Sequence, residues 1–262
     1  MMHNIFTPLS GALAQERVLE IVANNLANVS TTGFKEEKVS FKLLEAEPND
    51  QYKEPLPPAN FTTNLEDLYP LHGNDIAYVG ISDVTKDFTQ GPVVQTHNPL
   101  DLMIEGDGFL SAQTPEGVRY TRSGALTLDG KGTLVDEFGA PILGKKGPIV
   151  LDSSELEINR LGEVYQGGEF VDRLQVTQAK DNQQMERVGF NRYQYKGPSA
   201  DLTEVKNPAI QQGVLEGSNV NAIKNLTNMI VAHRSYEAYQ KAIQNYDKMM
   251  EKSSNTLGEV RG

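Results

Sequence analysis

The chain of 262 residues has no cysteine and no tryptophan, and only four histidines. Without cysteine there is no disulfide framework, no thiolate metal site and no thiol nucleophile. His3, His72, His97 and His233 lie far apart, with no HxH or HxxxH pair that would ask for a metal. Basic residues are scarce as well: 24 Lys and Arg against 35 Asp and Glu leave a formal charge of −11, which argues against nucleic acid as a partner. No apolar run approaches the roughly 20 residues that span a bilayer, so no membrane insertion is expected. No basic segment followed by an apolar one opens the chain, so no cleavable signal peptide is expected. The hydrophobic share of 38% predicts a modest core.

What is present is concentrated at the two ends. From Ile5 to about Val29, apolar residues recur at helical spacing as Ile5, Leu9, Ala12, Leu19, Ala23 and Leu26. Leu13, Val18 and Val22 widen that stripe and Glu16 interrupts it, while Ser30-Thr31-Thr32-Gly33 supplies the stop. The C-terminal pattern is cleaner. Met229, Tyr236, Ile243 and Met250 fall seven apart, and Ala232, Tyr239 and Tyr246 follow the first three of them by three residues. That is the a/d seam of a packed helix, with Ser218 and Asn219 as cap candidates before it. An ordinary core helix accounts for either segment taken alone. Two such ends on one chain must pair with each other or with a neighbouring subunit.

Between the ends the signals change. Pro48, Pro55, Pro57, Pro58 and Pro70 mark 46–75 as extended linker with at most a short strand. From about Asp75 to Gly197, short alternating stretches such as Leu100–Ile104, Val118–Thr121 and Leu126–Leu128 are separated by Gly106-Asp107-Gly108, Asp129-Gly130, Gly147-Pro148 and Gly167-Gly168. This spacing predicts an all-β module of the barrel or sandwich kind. The fold class is therefore α+β. Paired, coiled-coil-like N- and C-terminal helices carry a β middle, divided as 1–35 helix, 36–75 linker, 76–200 β-domain, 201–219 return linker and 220–262 helix.

Catalytic chemistry finds little purchase. Gly139 to Lys146 nearly spells a phosphate loop, but Lys146 stands where a magnesium-binding hydroxyl belongs and Gly147-Pro148 follows where a helix should open. A turn between strands fits better. Asp101, Glu105 and Asp107 could hold a cation or work as paired carboxylates, and solvated turn residues are the plainer reading. No GxSxG elbow exists. No catalytic residue, cofactor or metal site is expected. The competing class is a periplasmic glycan-binding or glycan-processing module with a helical stalk, which would depend on those three carboxylates.

Four stretches carry a resemblance. SGALAQERVLEIVANNLANVSTTGFK (10–35) and LEGSNVNAIKNLTNMIVAHRSYEAYQKAIQ (215–244) closely resemble the end motifs of bacterial flagellar rod and hook proteins. FTQGPVVQTHNPLDLMIEGDGFL (88–110) and RYTRSGALTLDGKGTLVDEFGAPILG (119–144) resemble the β-domain signature of the same family. The length is similar to that of the short rod members. ANNLANVSTTGF and LEGSNVNA look most like the proximal rod, and the RSYE…KAI…DKMM ending is also similar to the distal rod.

The resemblance implies a non-enzymatic axial subunit of the basal body, placed in the periplasmic space and delivered by the flagellar type III export apparatus. It implies polymerisation with itself and other rod proteins into a shaft that transmits torque to the hook. Peptidoglycan or a bushing ring are further candidate contacts. A head-to-tail contact that does not close generates such a filament. The expected assembly residues are Leu9, Leu19, Leu26, Met229, Tyr236, Tyr239, Ile243, Tyr246 and Met250, with Asn24, Asn25, Asn28, Asn219 and Asn221 setting register across subunits. Capping and turn formation within one chain account for these asparagines equally well.

Overall fold

The computed structural model describes residues 6–45, 77–152 and 156–259. A 22-residue helix, α1 (Phe6–Ala27), and a 38-residue helix, α2 (Ala222–Glu259), stand at the two ends. Everything described between them is strand, turn or short 3-10 helix. The five prolines of the expected linker, together with His3 and His72, lie outside the described residues. On either side of that gap, the strands Glu37–Glu45 and Ala77–Lys86 pair as a two-stranded ribbon.

The chain divides into two compact units. One holds residues 1–24, 38–85 and 223–262, and the other holds 25–37 and 86–222. The second is built on a six-stranded antiparallel sheet. Its order is Met185–Arg187, Arg192–Tyr195, Gly117–Thr121, Phe109–Thr114, Val176–Ala179 and Leu202–Glu204. Phe109 to Ala112 are all buried because the sheet is covered on both faces. Side chains alternate across a strand, so Leu110 and Ala112 enter the main core with Leu134, Ile142, Val164 and Val176. Phe109 faces the other way, into a smaller cluster with Ala179, Met185 and Tyr193. There Phe88, Phe109 and Tyr193 form a ring trio with centroids 5.6 to 5.8 Å apart. Burial pushes the Tyr193 phenol up to about 12.

Short ribbons and bridges wrap the main core, among them Leu126–Leu128 with Leu134–Asp136 and Leu156–Ile158 with Glu163–Gln166 and Glu169–Arg173. The stretch that nearly spells a phosphate loop is one of them. Leu143–Gly144 turns through Lys145 and Lys146 into Gly147–Pro148, and the hairpin leaves no helix for a phosphate to cap.

Candidate functional site

Along α2 the shielded positions trace one line. Asn225 and Ala232 are buried, and Met229, Tyr236, Tyr239, Ile243, Tyr246 and Met250 are half-buried. These are alternate steps of three and four residues, the a/d seam of a heptad. The sequence-derived seam thus falls on the least exposed face of the helix. Asn225 extends it by one heptad step toward the N-terminus and was missed, because a polar residue does not register in a hydrophobic pattern. Beside the seam, Ile223 is 79% exposed, and Leu226, Ile230 and Val231 are exposed as well.

α1 departs from its expected stripe. Its buried positions include Gly11, Ala12, Ala14, Ile21, Val22 and Asn25, whereas Leu9, Leu13 and Ala23 are exposed and Leu19 and Leu26 are half-buried. The reason is steric. A Cβ on Gly11 would stand 2.6 Å from Cε1 and Cζ of Tyr239, so the helix turns Gly11 toward that ring of α2, while Leu9 and Leu13 lie outside. Ala12 and Val22 belong to the expected stripe and are buried, whereas a hydrophobicity count cannot find Gly11 or Asn25.

The expected register asparagines separate into two groups. Asn24 and Asn221 are exposed. Asn28 is half-buried, and its side-chain oxygen accepts from the Thr31 hydroxyl at 3.1 Å. Asn25 and Asn219 hold backbone within their own chain. Asn25 brackets Glu37, accepting from its N–H at 3.0 Å and donating to its carbonyl at 2.8 Å. Asn219 accepts from the Glu36 N–H at 2.7 Å and donates to the Asp87 carbonyl at 2.7 Å.

Those two asparagines flank a buried charge junction that pattern reading passed over. The Glu216 side chain is 1% exposed. Its Oε1 accepts from Lys35 Nζ at 2.5 Å and from the Gly91 N–H at 3.0 Å, and its Oε2 accepts from Arg122 Nε at 2.8 Å. Lys35 also donates to the Thr89 carbonyl at 2.8 Å. The rest of the Arg122 guanidinium donates to the carbonyls of Ile104, Gly106 and Gly108. The Gly106-Asp107-Gly108 turn is therefore a cradle of carbonyls around a buried cation.

Two cations share one carboxylate here, and burial pushes the Lys35 ammonium below the usual lysine range despite Glu216. Glycines let the segments approach. Gly33 has φ +66, and a Cβ there would lie 2.6 Å from the Arg122 carbonyl carbon and the Ser123 nitrogen. Gly91 similarly rests on the backbone of Gly217. One junction thus joins GFK (33–35), TQG (89–91), GDG (106–108), RSG (122–124) and LEGSN (215–219). The available signal was weak: glycine recurs in all of these stretches, and in GFK, GDG, RSG and LEGSN a charged residue stands within two positions of it.

The three carboxylates of the competing reading do not act as a set. Asp101 is buried and accepts from Asn98 Nδ2 at 3.0 Å. Glu105 accepts from Gln211 at 3.1 Å and lies 3.7 Å from Arg160, and Asp107 is exposed. Among the described residues no group of His, Asp or Glu is arranged to hold a metal ion. His97 and His233 are separate, the latter lying 3.5 Å from Glu237 on its own helix. No described helix is long and apolar enough to cross a membrane.

Comparison with known proteins matches three stretches of the chain to flagellar families. Residues 6–35 match the profile described as flagella basal body rod protein. Residues 103–166 match the flagellar hook protein FlgE/F/G D1 domain, and 211–257 match the flagellar basal body rod FlgEFG protein C-terminal region. The chain is 32% identical to the flagellar basal-body rod protein FlgF of Caulobacter vibrioides, over 99% of this chain and 100% of that protein. It is 32% identical to the flagellar basal-body rod protein FlgG of Buchnera aphidicola, over 97% and 99% of the two chains. It is 30% identical to the flagellar hook-basal body complex protein FlhO of Bacillus subtilis, over 99% and 100%.

Proposed function

Because this chain belongs to the family of flagellar basal-body rod proteins, we propose that it polymerises through α1 and α2 into the axial shaft that carries torque from motor to hook. It is a structural subunit of the rod and assembles with other flagellar basal-body proteins. The observation that carries the mechanism is the mismatch between the two helices. At 1.5 Å per residue α1 reaches about 33 Å and α2 about 57 Å. The seam of α2 therefore extends well past what α1 can cover, and Ile223, Leu226 and Ile230 stand exposed beside it. Apolar helical surface of this kind is stabilised by packing against neighbours.

In this reading the terminal helices pair in coiled-coil fashion as an inner axial domain, and Leu9, Leu19, Leu26 and the α2 seam meet adjacent subunits. The chain catalyses no reaction and needs no cofactor. It reaches the periplasmic part of the rod through the flagellar type III export apparatus, with peptidoglycan or a bushing ring as outer contacts. The end motifs favour a proximal position in the rod. The C-terminal ending supports the distal position as the alternative.

Replacing Ile223, Leu226 and Ile230 together with Gln in flagellated cells tests the assembly claim. The expected result is a folded, soluble protein at normal level, with no rod and no motility. Normal rods would contradict it. Locating a tagged chain in partly assembled basal bodies decides proximal against distal.

A further inference from the structure

The charge junction borders a cavity of about 10 Å³, the size of one water molecule rather than of an organic ligand. Lys35, Arg122, Asn182 and Asp107 line it, together with Phe88 and Phe109, whose rings stand edge to face with centroids 5.6 Å apart. Its polar groups are of both kinds. The Lys35 ammonium has three N–H donors and uses two of them, on Glu216 Oε1 and on the Thr89 carbonyl. The side chain is 2% exposed, so bulk solvent does little for the third.

The acceptor is Asn182 Oδ1, which is buried and has no partner within the chain. Among the described residues three buried side-chain oxygens stand so, on Ser123, Asn182 and Asn191, and of these residues only Asn182 lines this cavity. A buried polar atom without a partner is costly, and a water resolves it where donor and acceptor face one small space. The fold fixes both groups. Asn182 opens the 3-10 turn Asn182–Gln184, whose Gln183 N–H donates to Asp181 Oδ1 at 2.9 Å. Gln183 brackets Lys86, accepting from its N–H at 3.1 Å and donating to its carbonyl at 3.0 Å. The turn is thus tied to the stretch 86–89 that also supplies the Thr89 carbonyl.

Charge separates water from the other small ligands. Burial disfavours the Lys35 ammonium, while Glu216 and, more weakly, Asp87 favour it. Lys35 and Arg122 are therefore balanced by Glu216 and Asp87, and Asp107 at the cavity adds a further negative charge. An anion has no excess charge to neutralise there and would meet the Asn182 oxygen, itself an acceptor. A cation would meet the ammonium and the guanidinium. Water accepts from one side and donates to the other.

We infer that this cavity is a binding site for one water molecule, which accepts from the Lys35 ammonium, donates to Asn182 Oδ1, and so joins the 182–184 turn to the charge junction. The inference is independent of how the helices assemble.

The test uses the full-length chain, with oxygen-17 magnetic relaxation dispersion counting its long-lived waters. Asn182→Leu removes the acceptor and fills the space with carbon, and should lower the count by one. Asn182→Asp keeps an acceptor and should retain that water. Equal counts in the two variants overturn the inference. Should Asn182→Leu fail to fold, a high-resolution crystal structure of the unaltered chain grown in bromide decides instead. One solvent peak within hydrogen-bond distance of both Lys35 Nζ and Asn182 Oδ1, with no anomalous signal, is expected. No peak, a peak reaching only one of these atoms, or a bromide signal at the site overturns it.

Discussion

A single carboxylate holds two buried cations in this protein, and its removal should cost more than removal of either partner. Glu216→Ala leaves Lys35 and Arg122 charged and unpaired in the interior, a loss of about 3–5 kcal/mol. Lys35→Met leaves Glu216 with Arg122 and the Gly91 N–H, so a smaller loss of about 1–3 kcal/mol is expected. Urea unfolding of the two variants checks the order. Tyr193 offers a second measurement. Its phenol keeps its proton up to about 12 in the folded state and up to about 10 when unfolded. Its contribution is therefore complete below pH 10 and is lost as pH rises from about 10 to about 12, on the order of 2–3 kcal/mol. Tyr193→Phe should flatten this alkaline loss relative to the unaltered chain.

At the scale of elements, the two helices differ in how far their sequences reveal them. The α2 seam is legible because large apolar residues recur every seven positions and the same residues are the shielded ones. The packing face of α1 is not, because Gly11 and Ala14 serve by being small. The β middle is legible from turn chemistry, although sheet order is not, since Phe109–Thr114 lies between strands that come later in the chain. The charge junction escaped because Lys, Arg and Glu are read by default as surface residues. The helix contact leads to a specific expectation. Gly11→Val should lower the thermal stability of the helical signal by forcing a branched side chain onto the Tyr239 ring. Leu13→Gln on the exposed side should stay within about 0.5 kcal/mol of the parent. Circular dichroism melts distinguish the two.

At the scale of the whole molecule, unequal burial separates two kinds of structure. The 25–37 and 86–222 unit contains a continuous apolar core and a satisfied charge junction. The long helix α2 instead keeps most of its seam half-open. A helix owes most of its stability to tertiary packing, and under the proposed assembly the half-covered face of α2 is the part that neighbouring subunits would complete.

Hydrogen exchange, measured segment by segment on the dilute full-length chain and again on assembled rods, tests this most directly. The account predicts fast exchange over about 244–259 in the dilute chain, slow exchange in the 86–222 sheet strands, and slowing of the helix on assembly. Protection of α2 equal to that of the sheet in the dilute chain, unchanged in the rod, would contradict it.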